Sequence, residues 1–388
     1  MAFLTGLHVK NYRSLADVEI RLEPVNVLFG PNGAGKSSIL DALWFLQNAV
    51  AASVETAMVE RDRGSLLWAA TPEGSPASIQ VQTAAASYRL TLDTLGGDMD
   101  TFVGEFLTVL RLASPLIERA RQATTVVFYN ETKGFAQFSL RDPTKTTLTL
   151  YLDLYPESAE AGQLDELIRS IRLYHCRPMK LDTLRKFGSE RSSVRQLNSL
   201  GDNLWSVLRN LSEQRTADDG YETIIGYMKR CFPSFADLVL DVPNPSSVYG
   251  SIRENGLRDP VRASAVADGH LQMLILLTAL FGEGRNHPAV ILFDEPELSL
   301  HPWALAVLAE AIDEAAARWQ RQVLIATHSP VLLSQFDASR VLAVEPGPIG
   351  TRVRRLSEIA EVSDLLEQYA AGSLYMADVI GRQATLVD

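Results

Sequence analysis

A glycine-rich stretch at residues 30–38 carries the residue types that bind phosphate. Its sequence, GPNGAGKSS, matches the pattern G-x-x-x-x-G-K-[ST] without a mismatch. Glycines let the backbone turn so that successive N–H groups point at phosphate oxygens, and Lys36 adds a compact positive charge for the β- and γ-phosphates. Ser37 offers a hydroxyl to Mg²⁺. The stretch therefore predicts a site for ATP and Mg²⁺, contacted by Asn32, Gly33, Ala34, Gly35, Lys36, Ser37 and Ser38.

Two adjacent carboxylates, Asp294 and Glu295, end the apolar run Ala289–Phe293. Such a run predicts a buried strand, and open α/β sheets bind their ligands at the carboxyl ends of their strands. Asp294 is expected to hold Mg²⁺ directly or through water, and Glu295 to orient and polarise the water that attacks the γ-phosphate. A single acid here could merely cap the next helix, but two in succession beside a phosphate loop favour catalysis.

His328 follows another apolar strand, Val323–Ala326, within the sequence Thr-His-Ser-Pro. A histidine at this edge of the sheet can contact the γ-phosphate and the attacking water, and so distinguish ATP from ADP. We expect it to be the second catalytic residue. The alternative is that the stretch only caps a helix, because Ser and Thr commonly precede a helix whose first turn contains proline.

The elements that position these residues come from both ends of the chain. Val25–Phe29 is an apolar strand that ends at the glycine stretch, and the apolar spacing from Ser37 onward predicts a helix with one buried face. A second alternating series comes late in the chain, with helices at 269–281 and 303–319 and strands at 289–293, 322–326 and 340–344. The nucleotide-binding core is therefore expected to close from two distant pieces.

The pattern between these two pieces is different. Residues 78–94 and 125–153 are rich in β-branched and aromatic residues, which predicts antiparallel strands, one of them at TLTLYLDLY. Further along, the apolar spacing becomes helical at 163–171, 204–211 and 221–228. We divide the chain into an N-terminal part of the nucleotide-binding domain, an inserted lobe of strands and helices, and a C-terminal part of that domain, at 1–95, 96–245 and 246–388.

Composition limits the classes of protein that this chain can be. The 388 residues are 46% hydrophobic and carry a net charge of −11. We expect a cytoplasmic protein without a membrane partner, since there is no apolar run of ~18 residues and no basic, apolar leader. The two cysteines lack metal-site spacing and indicate ordinary thiols. Residues 169–195 have a local net charge of +6, which indicates either a solvated face or a surface for DNA or a protein partner.

Four segments together resemble a known family. NYRSLADVEIRL, GPNGAGKSS, ILFDEPELSLHP and ATHSP resemble the ABC-type ATPases of the RecF/SMC group, particularly the stand-alone ATPases related to the OLD family. The resemblance covers about 1–50 and 260–345. It implies an α/β fold, namely an ABC-type P-loop NTPase head with an antiparallel β subdomain and an inserted, largely helical lobe. It also implies that ATP lies between two heads arranged head to tail, in a homodimer or a higher homo-oligomer.

The same resemblance points to a signature segment at Val266–Leu271. It implies that Asp268, Gly269 and His270 face the nucleotide held by the second head. The serine that the family places before this aspartate is Ala267 here, so the helix N-terminus and His270 are left to contact the γ-phosphate. The alternative is simply a helix that begins at Asp268.

Two further assignments rest on the resemblance alone. Arg13 resembles a residue that helps to hold the nucleotide, with a surface arginine as the alternative. Gln80 and Gln82 are candidates for the glutamine of the family's lid loop.

Several functions remain open at this point. The first is a dimerising ATPase that closes on ATP and reopens on hydrolysis, and that acts on DNA or beside an effector such as a nuclease, in DNA repair or antiviral defence. The chain could instead be an OLD-type nuclease itself, although 331–388 shows no acidic constellation for catalytic metals. A transporter's nucleotide-binding subunit is disfavoured by the inserted lobe and by the run DEPELSLHP at Asp294–Pro302. A hexameric AAA+ remodeller is disfavoured by the Thr-His-Ser-Pro sequence and by the signature segment.

Overall fold

The computed structural model describes residues 3–59, 61, 66–95, 98–177, 179–214, 219–359 and 371–376. The strands in this part of the chain are β1 (Gly6–Tyr12), β2 (Leu15–Arg21), β3 (Val25–Phe29), β4 (Ala77–Gln82), β5 (Ala86–Leu95), β6 (Asp98–Val109), β7 (Ile117–Arg119), β8 (Thr125–Asn130), β9 (Gly134–Ser139), β10 (Ile171–His175), β11 (Ser189–Glu190), β12 (Phe235–Asn244), β13 (Ser247–Glu254), β14 (Val261–Arg262), β15 (Ala289–Asp294), β16 (Arg321–Thr327), β17 (Val341–Gly347) and β18 (Gly350–Arg355). The helices are α1 (Lys36–Ala51), α2 (Val54–Val59), α3 (Leu148–Leu154), α4 (Ala159–Arg169), α5 (Leu181–Lys186), α6 (Leu204–Glu213), α7 (Gly220–Cys231), α8 (Asp268–Phe281), α9 (Pro302–Arg318), α10 (Pro330–Leu333) and α11 (Ala371–Met376).

A six-stranded sheet forms the centre of the fold, in the order β10-β15-β16-β3-β17-β18. All neighbours are parallel except β17 and β18, which are antiparallel. Every residue of β3 and β16 is buried, as expected of parallel strands covered on both faces. Val27 packs into the core on the side of α8 and α9, and Leu28 into the core on the side of α1. The carboxyl ends of β3, β10, β15 and β16 therefore meet at one edge.

An eight-stranded antiparallel sheet lies beside this centre, in the order β2-β1-β4-β5-β6-β7-β8-β9. Alternate residues of its strands, such as Ile79 and Val81 on β4, are buried. They share one core with apolar residues of α1, including Leu43 and Phe45. The predicted antiparallel subdomain thus covers one side of the helix that follows the phosphate loop.

Most of the predicted elements of the core occur within a few residues of the predicted positions. One strand prediction is wrong: residues 148–154 form helix α3. The sequence TLTLYLDLY alternates as a strand would, but the buried residues are Leu148, Tyr151 and Tyr155, which follow a helical spacing. The helix predicted at 163–171 ends at Arg169, and a strand begins at Ile171. The sequence of residues 357–372 is also typical of an amphipathic helix, and this segment lies largely outside the described residues.

The residues predicted as an inserted lobe take part in several layers. Strands β6 to β9 extend the antiparallel sheet, and β10 is an edge strand of the central sheet. Helices α6 and α7 pack on the opposite side of the central sheet, in the same core as α8. The boundaries at 96 and 245 remain a prediction.

Cys176 and Cys231 are free and buried, and burial raises the pKa of both thiols. Among the described helices, none has the length and apolar character needed to cross a membrane.

Candidate nucleotide site

The glycine stretch forms a tight loop between β3 and α1. Gly30 has a φ of 153° and Gly35 a φ of 109°, conformations that L side chains rarely adopt. A Cβ atom on Gly30 would lie 1.9 Å from the carbonyl oxygen of Val344, and one on Gly35 would lie 2.3 Å from Oγ1 of Thr351. Only glycine therefore fits at either position. Helix α1 begins at Lys36, so its N-terminal N–H groups face the loop.

Lys36 is buried under this loop. Its Nζ donates to the carbonyl oxygens of Gly30 at 2.8 Å and Pro31 at 2.9 Å, and it lies 3.4 Å from Nδ1 of His328. Burial lowers the pKa of Lys36 to about 8, against the attraction of nearby carboxylates, chiefly Asp294. The positive charge is thus held at the loop by oxygen acceptors.

Ser37 and Asp294 meet where α1 begins and β15 ends. The Ser37 hydroxyl donates to Oδ1 of Asp294 at 3.1 Å. A hydroxyl and a carboxylate side by side, open to a phosphate loop, fit the oxygen donors that Mg²⁺ prefers when water and phosphate supply its other ligands. The second carboxylate oxygen, Oδ2, lies 3.0 Å from Nδ1 of His175.

Glu295 has a left-handed backbone conformation, with a φ of 55°, and its N–H donates to the carbonyl of Ala326 at 2.8 Å. Its carboxylate makes a two-pronged ion pair with Arg177, with Nε to Oε2 at 2.5 Å and Nη2 to Oε1 at 3.4 Å. Nε2 of His328 lies 3.6 Å from Oε1. A left-handed backbone conformation is strained in a residue other than glycine. Such strain is common at functional sites, where the backbone holds a side chain in one direction.

His328 follows β16 and faces the same cluster. The backbone N–H of His328 donates to Oε1 of Glu297 at 2.8 Å. The hydroxyl of Ser329 caps α10 by accepting from the backbone N–H of Leu332 at 3.2 Å. The two interpretations of this stretch are therefore compatible, since Ser329 makes the cap and His328 lies in the site. Burial, and next the charge of Lys36, lower the pKa of the His328 imidazole, which favours its neutral form.

The signature segment lies apart from this cluster. Helix α8 begins at Asp268, whose Oδ1 accepts from Arg185. A Cβ atom on Gly269 would lie 2.7 Å from the carbonyl oxygen of Ser299. The His270 ring stacks on Phe232, with 3.7 Å between the ring centroids, and burial lowers its pKa. In the described part of the chain, no hydrogen bond joins these residues to the phosphate loop.

Arg13 and the two glutamines lie outside the cluster around Lys36, and the contacts of Arg13 and Gln80 are with residues outside that cluster. Nη1 of Arg13 lies 3.1 Å from Oδ2 of Asp41 on α1. Gln80 and Gln82 are on β4 of the antiparallel sheet, where the Gln80 side chain bonds Ser87 and Arg89. Their roles in nucleotide binding remain predictions.

Three residues near the cluster were not identified from the sequence. His175 is the last residue of the short strand β10 and Arg177 follows it; the register of β10 with β15 places His175 beside Asp294. Thr351 donates to the carbonyl of Ala34 in the phosphate loop at 2.9 Å. The apolar residues of Ile171–His175 were a signal for β10, but they stand inside a basic stretch that was interpreted only by its charge.

A family model matches residues 125–334, which is more than half of the chain, and is described as "AAA domain, putative AbiEii toxin, Type IV TA system". The chain belongs to this AAA-domain family. A second model, described as "AAA ATPase domain", matches residues 3–77, which include the phosphate loop.

Curated relatives agree with this assignment. The OLD nuclease of Thermus scotoductus is 22% identical over 362 residues, which are 87% of this chain and 62% of that protein. Protein ea59 of Escherichia phage lambda is 24% identical over 210 residues, 51% of this chain and 34% of that protein. The DNA replication and repair protein RecF of Anaeromyxobacter dehalogenans is 33% identical over 95 residues, 23% of this chain and 26% of that protein. The chain thus spans less than two thirds of the length of each.

Solved structures show the same fold. An SMC head bound to the C-terminal winged-helix domain of ScpA has a TM-score of 0.57 at 16% identity, and covers 91% of this chain and 97% of its own. An SMC head with an extended coiled coil from Pyrococcus furiosus has a TM-score of 0.53 at 14% identity, with 95% and 100% covered. The chain is thus an AAA-domain ATPase with the fold of an ABC-type head. Its similarity to OLD and RecF proteins and to SMC heads agrees with the predicted resemblance and confirms the fold class.

Proposed function

We propose that this ATPase head binds ATP with Mg²⁺ and hydrolyses it at the carboxyl edge of the central sheet. The supporting observation is the convergence of five side chains from three separate parts of the chain, namely Lys36, Ser37, Asp294, Glu295 and His328. Parallel strands bring their carboxyl ends together, so one sheet edge receives residues more than 250 positions apart in sequence. A cluster of charged side chains at such an edge is better explained by a catalytic role than by a contribution to folding stability.

Each residue has a role that its contacts support. Lys36 and the N–H groups from Asn32 to Ser38 bind the phosphates, and Ser37 and Asp294 hold Mg²⁺. When bound, Mg²⁺ neutralises charge on the β- and γ-phosphates. Glu295 accepts a hydrogen bond from the attacking water and orients it. The neutral His328 imidazole, which lies between Lys36 and Glu295, contacts the γ-phosphate and the same water.

A second copy of this head completes the site in this proposal. Asp268, Gly269 and His270 bond or pack against Arg185, Ser299 and Phe232, so they are presented on the head without closing over its own phosphate loop. A head-to-tail homodimer, or a higher homo-oligomer built from such pairs, would place them on the partner's ATP. With Ala267 in place of serine, the N-terminus of α8 supplies the N–H groups for that contact.

The work that hydrolysis drives is proposed to concern DNA. The support is that relatives include an OLD nuclease and a DNA replication and repair protein. ATP binding would close the dimer and hydrolysis would reopen it, and the motion would act on DNA or on an effector protein such as a nuclease, in DNA repair or antiviral defence.

Light scattering on the Glu295→Gln protein tests the proposal. Blocking the activation of water should trap the ATP-bound dimer, so ATP and Mg²⁺ should double the mass of this variant. Glu295→Gln combined with Lys36→Ala is the matched control, because it should lose ATP binding and stay at the mass of the nucleotide-free protein. A mass that does not change with ATP, although ATP is bound, would contradict closure by dimerisation.

A further inference from the structure

Arg177 occupies both oxygens of the carboxylate that we propose as the water-activating group. Its guanidinium contacts Oε2 of Glu295 at 2.5 Å and Oε1 at 3.4 Å. Strand pairing brings Arg177 close to this carboxylate, because Arg177 follows β10, and β10 aligns His175 with Asp294 on β15. A carboxylate held by such a fork has less capacity to accept a hydrogen bond from water.

The next described helix along the chain contacts the signature segment. Helix α5 carries Arg185, whose Nη2 donates to the carbonyl of Val266 at 2.8 Å and also to Oδ1 of Asp268. Helix α5 also contacts the core, since Leu184 is buried and its carbonyl accepts from Nε1 of Trp205 at 3.2 Å. Two arginines that lie close together in sequence, Arg177 and Arg185, therefore contact Glu295 and the start of α8, respectively.

The ion pair has the properties of a contact that opens easily. The Arg177 side chain is 73% exposed, whereas that of Glu295 is 19% exposed. Exposed ion pairs contribute little to stability, because solvent screens the attraction and ordering the long side chain costs entropy. A small displacement of Arg177 would be enough to free the Glu295 carboxylate.

We propose that Arg177 is a positioning residue that holds Glu295 away from water in the single head. When the start of α8 engages the ATP of a second copy, the contact through Arg185 shifts helix α5, and Arg177 releases Glu295. Hydrolysis would then be slow in a separate head and faster in the closed dimer. This inference rests on the proposed function, because it assumes that Glu295 activates the water and that heads pair on ATP.

Turnover of ATP per head, measured from dilute to concentrated protein, tests the proposal. The wild-type rate should rise with protein concentration. Arg177→Gln should raise kcat in dilute protein severalfold at an unchanged KM for ATP and should flatten the rise. Arg177→Lys keeps a positive charge on Glu295 and should restore most of the suppression. Arg318→Gln is the control, because Arg318 is 70% exposed and pairs with a glutamate, Glu314, on α9; it should behave as wild type.

The opposite results are equally clear. If Arg177→Gln slows hydrolysis at every concentration, Arg177 assists Glu295 and the proposal is overturned. If it matches wild type while Glu295→Gln abolishes hydrolysis, the inference about Arg177 fails and the proposed function stands. If Glu295→Gln hydrolyses ATP as fast as wild type, the proposed function fails and the role of Arg177 fails with it.

Discussion

Thr351 supports the phosphate loop from the far end of the chain, and its removal should weaken ATP binding. Its hydroxyl donates to the carbonyl of Ala34 at 2.9 Å and lies 3.0 Å from the hydroxyl of Ser14. Ser14 in turn bonds the hydroxyl of Ser38 at 3.1 Å. Thr351→Val keeps the branched shape that suits β18 and removes only the hydroxyl.

The size of the effect follows from these contacts. A neutral hydrogen bond contributes a net ~0.5–1.5 kcal/mol, so the loss of two should lower the free energy of unfolding by about 1–3 kcal/mol. The hydrogen bond to Ala34 orders the loop that is proposed to bind phosphate. The free energy of this one bond should therefore also contribute to the affinity for ATP. One bond corresponds to an increase of about two- to tenfold in Kd for ATP.

Titration with a fluorescent ATP analogue and chemical denaturation measure the two quantities. Thr351→Ser is the control, since it retains the hydroxyl and loses only a methyl group; it should bind ATP as wild type does. If Thr351→Val binds ATP with the wild-type Kd while the protein is destabilised, the hydroxyl supports β18 alone and not the phosphate loop.

Three further variants should have measurable effects. Burial raises the pKa of Glu297, so the wild type should lose stability as pH rises above the ordinary glutamate pKa of about 4.3. Over the same range, the difference between the melting temperature of Glu297→Gln and that of the wild type should shift in favour of the variant. Glu105 pairs with Arg119 where both side chains are fully buried, so Glu105→Ala should lower the free energy of unfolding by about 3–5 kcal/mol in chemical denaturation. Replacing Lys186 and Arg191 with glutamine should weaken DNA binding in fluorescence anisotropy and reduce its salt slope by about 2.

Each of these predictions has a contrary outcome. A constant difference in melting temperature across pH would mean that the folded protein does not shift the titration of Glu297. Exposed Glu118 on β7 is the control for Glu105, and an equal loss in Glu118→Ala would remove the special role of the buried pair. An unchanged salt slope would exclude the exposed part of the basic stretch as a DNA surface.

The basic stretch shows where charge alone was a poor guide. Among its residues, Arg169 pairs with Asp165, Arg177 with Glu295 and Arg185 with Asp268. The Arg169 pair lies within one helix, and the other two pairs join distant parts of the chain. The net charge of the stretch counts every arginine and lysine equally, so it could not distinguish these paired arginines from the exposed Lys186 and Arg191.

The placement of the glycine loop and of the pair Asp294 and Glu295 at one sheet edge could be predicted because the signals are local. A glycine pattern between a strand and a helix, and two acids after an apolar strand, each specify their own position at a sheet edge. Thr351 could not be predicted in the same way, because it lies 317 residues from Ala34 in sequence. Arg177 required the pairing of β10 with β15, which depends on the folded sheet.

The misassigned helix α3 has a related cause. Its sequence alternates in hydrophobicity, and β-branched residues favoured a strand. In the fold, Tyr151 and Tyr155 pack around Phe128 of the antiparallel sheet, and a helix brings both rings to one side. Packing against the sheet outweighed local propensity.

The rate of phosphate release from ATP by Glu295→Gln, at the same nucleotide occupancy as wild type, tests the central claim most directly. If Glu295 activates the attacking water, the rate should fall by about 10²–10⁴-fold while ATP and Mg²⁺ remain bound. A rate equal to that of wild type at equal occupancy would show that hydrolysis does not depend on this carboxylate, and would contradict the site proposed at the edge of the central sheet.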